Sequence, residues 1–205
     1  MNLSAFRAAS IAAVAILAMV LVAWQFGLLS PNEKGSGFHG NAKIGGAFDL
    51  FDHNGRPQTN SDFRGQFMLI YFGYSYCPDV CPTALQIMST ALQILGKKAA
   101  SVQPIFISVD PKRDTSEHLK EYVKNFYPGM VALTGTEDLI KEAAKKYRIY
   151  FSKAPQDKTR SNSDDYLIDH SSIVFLMGRD GQYITHFNHQ TNAEAMAKII
   201  AKQLR

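Results

Sequence analysis

The sequence predicts an α/β domain built on a mixed central sheet with helices over both faces. Three observations lead there. Short apolar runs suited to buried strands alternate with segments whose apolar residues recur every three or four positions. The last two strand-like runs flank a glycine turn, and one amphipathic helix closes the chain. With 205 residues, 46% of them hydrophobic, there is material for a single sizeable core once an apolar amino-terminal segment is set aside.

That segment runs from Ala8 to Leu29 (AASIAAVAILAMVLVAWQFGLL), carries no charge, and reaches the roughly 20 residues a helix needs to cross a bilayer. Arg7 is the only charged side chain before it, so the positive-inside bias keeps residues 1–7 in the cytoplasm and sends the remainder across. The expectation is a single-pass transmembrane helix over 8–29 in a bacterial inner membrane, with the carboxyl domain in the periplasm. A cleaved signal peptide is the competing reading, but WQFGLLSPNEKG offers no small-x-small cleavage site. Residues 30–46 are polar and glycine-rich without a hydrophobic period and read as a flexible tether, leaving 47–205 as the domain.

Within the domain, FDLFDHNGRPQTNSDFRG predicts a hairpin turning at His53, Asn54 and Gly55, and QFMLIYFGYS a buried strand. PTALQIMSTALQILGKK puts Leu85, Met88, Leu92 and Leu95 on one helical face and stops at Gly96. VQPIFISVD is a second buried strand. DTSEHLKEYVKNF is a helix capped by Asp114 or Thr115, with Leu119, Tyr122, Val123 and Phe126 as its stripe. MVALTG and EDLIKEAAKKY repeat the strand–helix pattern. KAPQDKTRSNSDDY is polar and unpatterned, a mobile loop; IDHSSIVFLMGRDGQYITHF gives two strands about Gly178–Gly181, and NAEAMAKIIAKQL the closing helix. The formal charge of +4 is scattered among acids, as in KRDTSEHLKEYVK, so no basic stripe suggests a nucleic-acid partner.

The chemistry concentrates in YFGYSYCPDVCPT, where a strand hands over to a helix, the place where α/β sheets set functional groups. If the helix begins at or just before Cys77, the sulfurs of Cys77 and Cys81 share one face, and the helix amino end favours the thiolate of each. Three readings compete. A structural disulfide suits an oxidising compartment, yet a loop this small constrains little of the unfolded chain. A redox-active pair is the second, although its common motif has two intervening residues and this one has Pro78, Asp79 and Val80. A metal site is the third and needs another ligand. Among the six histidines, His39, His53 and His118 read as ordinary surface residues, and His186 and His189 lie near the last strand end. His170 stands just before a central-strand run, after the long loop, and is the best placed.

The succession FRGQFMLIYFGYSYCPDVCPT, FISVDPKRD, YRIYFSK and DDYLIDHSSIVFLMGRDG resembles the motifs of the Sco (SenC-like) family of copper chaperones for cytochrome c oxidase, from about Phe48 to the carboxyl end. The resemblance implies a thioredoxin-like fold and one copper ion, Cu(I) or Cu(II), held by Cys77, Cys81 and His170. It also implies delivery of that copper to the binuclear copper centre of oxidase subunit II, and thiol–disulfide activity of Cys77 and Cys81 on that partner. Other copper chaperones or thioredoxin-like reductants are further expected partners. Asp79 and Asp169, beside the ligands, are candidates for supporting or docking roles, or for a simple helix-dipole contact. Thiolates are soft and suit Cu(I), imidazole suits either copper state, and a structural zinc site would want a fourth protein ligand.

Overall fold

The computed structural model describes residues 17–19, 22, 44–154 and 166–204 of a chain that divides into two units, 1–42 and 43–205. In the first unit Leu17, Ala18, Met19 and Val22 are helical. The rest of the expected anchor and nearly all of the tether lie outside the described residues, among which no helix is long and apolar enough to cross a membrane.

The second unit opens with a hairpin of β1 (Asp49–Asp52) and β2 (Pro57–Thr59), followed by a 3-10 turn at Asn60–Phe63. Asp52 shapes the turn by accepting from the backbone N–H groups of Asn54 (2.7 Å) and Arg56 (2.9 Å), and Gly55 supplies the φ of 76° it requires. His53 has a structural task there, its Nδ1 accepting from the N–H of Ala132 at 3.1 Å. The chain continues through β3 (Phe67–Gly73), α1 (Val80–Leu95), β4 (Val102–Ser108), α2 (Ser116–Tyr122), β5 (Val131–Thr134) and α3 (Glu137–Tyr147). It ends with β6 (Phe151–Lys153), β7 (Ile168–His170), β8 (Ile173–Met177), β9 (Tyr183–Asn188) and α4 (Ala193–Gln203).

Seven strands form one sheet in the order β2-β1-β5-β4-β3-β8-β9, with β3, β4 and β5 parallel and the remaining pairs antiparallel, so the expected mixed sheet is present. Every residue of β3 is buried, which a central strand achieves only when both faces are covered. The register assigns the faces. Tyr71 lies opposite Phe106 and Val174, and α1 and α4 pack together on that side, where Ala84, Ile87 and Met196 share a cavity with Val174. Ile70, Phe72 and Phe175 point the other way, where Tyr147 of α3 meets the rings of Phe72 and Phe175 at 5.3 and 5.7 Å.

Two differences from the sequence expectations bear on the site. Phe151–Lys153, at the entry to the expected mobile loop, and Ile168–His170, expected at its exit as the start of the strand run into Met177, pair as a separate two-stranded sheet, while residues 155–165 of the expected mobile loop lie outside the described residues. Thr115 caps α2, its hydroxyl accepting from the N–H of His118 at 3.2 Å, whereas Asp114 is fully buried and does something else.

Candidate metal site

The two cysteines do not share a helix. α1 starts at Val80 with Asp79 as its cap, and Cys77 precedes it in a turn, its N–H donating to the Tyr74 carbonyl at 3.3 Å. Pro78 explains the difference, because the residue before a proline is driven out of the α region. Pro82 is no obstacle, since first-turn residues need no N–H partner. The turn folds back so that Cys77 Sγ accepts from the Cys81 N–H at 3.5 Å, a sulfur doing the work of a capping oxygen.

This asymmetry sets different thiol chemistries. A hydrogen bond from Cys81 and the backbone N–H groups of Asp79, Cys81 and Val80 outweigh partial burial and bring Cys77 down to about 4. Cys81 is fully buried and moves the other way, raised by its pairing with Cys77, by burial and by the Cys77 charge. The expectation that both thiols are lowered therefore holds for Cys77 alone. One is a ready thiolate, the other keeps its proton until something displaces it.

Cys81 Sγ is pressed against the sheet. A Cβ at Gly73 would lie 2.8 Å from that sulfur, 2.8 Å from a ring carbon of Tyr71 and 3.2 Å from one of Phe106, so only glycine lets the helix sulfur reach this depth. Tyr71, two residues before Gly73 and on the same face, places its hydroxyl 3.8 Å from Cys81 Sγ and 3.3 Å from Ser172 Oγ. Burial and the nearby thiols push the Tyr71 phenol up, so it keeps its proton at neutral pH.

His170 arrives from the far side as the last residue of β7. Its Nδ1 lies 3.2 Å from the Ser171 carbonyl, which can only accept, so Nδ1 carries the proton and Nε2 presents a lone pair. That Nε2 is 3.2 Å from Cys81 Sγ. The imidazole stands edge-on between Tyr71 (6.1 Å, 75°) and Tyr74 (5.8 Å, 84°), which limits its rotation. Tyr74 also steadies the small sheet, its hydroxyl accepting from the Ile168 N–H at 3.2 Å.

The ligand atoms of Cys77, Cys81 and His170 all lie within 4.8 Å of one another, the one such group among the described residues. Two sulfurs and one oriented imidazole nitrogen are the donor set of a soft, low-coordinate metal ion. The remaining histidines lie elsewhere: His186 hydrogen-bonds Tyr183 at 2.6 Å on β9, and His189 lines a groove beside α1. Asp79 and Asp169 are exposed at the rim, and Asp79 makes no side-chain cap to its own helix.

Several supporting residues had no signal in the sequence. Asp114 accepts from the Ser75 N–H (3.0 Å), from the Ser75 hydroxyl and from Ser108 Oγ (2.5 Å), tying the turn before Cys77 to the end of β4. His118, expected on a polar surface, is half-buried, with Nε2 2.8 Å from Ser75 Oγ and its ring stacked on Tyr76 at 5.1 Å. Arg113 pairs with Asp110 at 2.5 Å and lies 3.7 Å over the Tyr166 ring, while Tyr166 donates to Asp110 at 2.6 Å. The links from Ser75 to Asp114 and His118 and from Tyr166 to Asp110 span 39, 43 and 56 residues, beyond the reach of periodicity. Tyr71 and Gly73 were missed as well; their two-residue spacing puts them on one face of the strand ahead of Cys77 but marks neither as part of a site.

Known proteins show the same arrangement of chain. The SCO1/SenC family profile matches residues 37–205. A SCO2-like protein of Rickettsia prowazekii is 40% identical over 161 residues, covering 78% of this chain and 77% of its own. The structure of Bradyrhizobium japonicum ScoI with copper bound is 40% identical and superposes with a TM-score of 0.71 over 78% of this chain and 99% of that one. BsSco, a member of the Sco family of cytochrome c oxidase assembly proteins in which a disulfide switch has been identified, is 21% identical with a TM-score of 0.60, over 79% of this chain and 94% of that one, a likeness in fold alone. With a thioredoxin-like α/β fold and a match across the whole of its second unit, the chain belongs to the SCO1/SenC family.

Proposed function

We propose that this chain is a copper metallochaperone that holds one copper ion between Cys77 Sγ, Cys81 Sγ and His170 Nε2 and helps to assemble the binuclear copper centre of cytochrome c oxidase subunit II. The observation that carries it is the convergence of those three donor atoms within 4.8 Å, in a family whose members assemble cytochrome c oxidase and include a copper-bound homologue. The residues suit a cargo site. Cys77 is already a thiolate, Cys81 gives up its proton on ligation, and His170 presents a free lone pair without tautomerising. Two ligands come from the rigid β3–α1 junction and the third from a two-stranded sheet packed on it, so the His170 arm can withdraw while the sulfurs stay in place. The apolar run 8–29 supports an anchor that holds the domain at the periplasmic face of a bacterial inner membrane, facing the oxidase.

The contact between an ionised Cys77 and a protonated Cys81 favours a second activity, reduction of a disulfide on the oxidase subunit. The Cys77 thiolate would attack one partner sulfur and expel the other. Cys81, losing its proton, would then displace the mixed disulfide, leaving Cys77–Cys81 bonded and the partner two electrons richer, with one of its sulfurs protonated at the expense of Cys81 and the other released as a thiolate that takes its proton from water. Only copper transfer needs His170. Metal analysis of the full-length reduced chain should find one copper in wild type, none with Cys77→Ser or Cys81→Ser, and weakened binding with His170→Ala, Cu(II) suffering most. A His170→Ala strain should assemble little copper-loaded oxidase while its thiols still cycle. Undiminished copper in that variant, with full oxidase activity at limiting copper, would sink the chaperone reading.

A further inference from the structure

Cys81 Sγ is the deepest donor of the site, and besides Cys77 and His170 it meets a phenol. Tyr71 Oη lies 3.8 Å from it, within the longer range of hydrogen bonds to sulfur, and 3.3 Å from Ser172 Oγ. Tyr71 has one proton to give. Donated to the sulfur, it leaves the phenol oxygen to accept from the Ser172 hydroxyl, so a directed chain runs from Ser172 through Tyr71 to Cys81. Its two donors sit on different parts of the fold. Tyr71 is fixed in the central strand with no exposure, while Ser172 lies two residues beyond His170, in the link from β7 to β8. The ring of Tyr71 also stands against the His170 imidazole. One side chain thus touches one ligand sulfur, packs on the other arm's imidazole and is oriented by that arm's backbone neighbour.

We propose that Tyr71, oriented by Ser172, is a positioning residue that donates a hydrogen bond to the Cys81 sulfur and so tunes how tightly and in which oxidation state copper is held. The proposal rests on the copper reading of Cys77, Cys81 and His170. Two thiolates and a monovalent copper leave net negative charge on buried sulfur, and a donor aimed at that sulfur stabilises it. The same donor lowers the energy of the sulfur lone pairs, which moves sulfur-to-Cu(II) charge transfer to higher energy. Because Ser172 is carried by the His170 arm, withdrawal of that arm also loosens the donor to Cys81, and release of the imidazole weakens the sulfur ligand as well.

The test uses the full-length reduced protein, with Cu(I) competed against a chromophoric chelator and Cu(II) followed by its charge-transfer absorption. Tyr71→Phe removes one oxygen from a fully buried ring and leaves the packing in place. It should bind one copper, lose about five- to tenfold in Cu(I) affinity, the equivalent of about 1–1.4 kcal/mol, and shift the absorption to longer wavelength. Ser172→Ala should lose about two- to threefold, Ser172→Thr should restore wild-type behaviour, and Ser172→Ala should add nothing in the Tyr71→Phe background. Unshifted absorption and affinity in Tyr71→Phe, or additive losses in the double variant, overturn the relay while leaving the copper site standing. A wild-type chain with no sulfur-to-copper absorption overturns both.

Discussion

Replacing Gly73 with alanine adds a single methyl group to the last residue of β3 and directs it at the Cys81 sulfur. Its Cβ would sit 2.8 Å from Cys81 Sγ, 2.8 Å from Tyr71 and 3.2 Å from Phe106. Comfortable contact between such atoms begins at about 3.5 Å, so on the order of 0.7 Å must be found. The rings of Tyr71 and Phe106 are fully buried in the core and have nowhere to retreat. Cys81 is the short side chain that yields, by lifting α1 or by turning its sulfur away from His170, now 3.2 Å distant. Overpacking of this kind costs about 1–3 kcal/mol of stability. Metal–ligand distances tolerate about 0.2 Å, and disturbing a ligand's support typically costs 10–100-fold in affinity, so the effect on copper should exceed the effect on the fold. Urea unfolding of the metal-free protein and chelator competition with Cu(I) measure the two separately. A Gly73→Ala protein with wild-type affinity, or one whose copper loss is no greater than its unfolded fraction explains, would refute the reasoning.

Two further outcomes follow from buried charge. Because Cys77 is ionised at pH 7 and Cys81 is not, Cu(I) binding should release about one thiol proton per ion at neutral pH, rising toward two as pH falls through about 4, with affinity dropping more steeply there. Proton release in weak buffer measures this, and two protons at pH 7 would contradict it. Asp114→Ala strips the acceptor from Ser75 and Ser108, so it should cost about 2–3 kcal/mol and loosen the turn before Cys77. Burial raises Asp114 in the fold, so its contribution is fullest below the unfolded carboxyl value and lost as pH rises; the gap between wild type and variant should therefore widen toward acid in urea titrations.

Local pattern was enough wherever a segment's neighbours are its own sequence neighbours. The all-apolar run of Phe67–Gly73 suited a buried strand and is one, and Leu85, Met88 and Leu92, at helical spacing, are the buried stripe of α1. The Cys77–Cys81 spacing, the isolated His170 and the resemblance of the motifs pointed to three side chains that the fold brings within 4.8 Å of one another. The tertiary structure decided how they work. Pro78 bends Cys77 out of the helix, so two thiols that spacing alone made equivalent became one thiolate and one buried, protonated thiol. The β6–β7 sheet was illegible because its strands are three residues long and separated by a polar stretch, too short for a period to register. Asp114 and His118 looked like helix-start and surface residues, since their partner Ser75 lies 39 and 43 positions away. Hydrophobic periodicity records which side of an element faces the core. Which polar group then meets which depends on how the elements dock, and only the folded chain brings Ser172, Tyr71 and Cys81 into a single line.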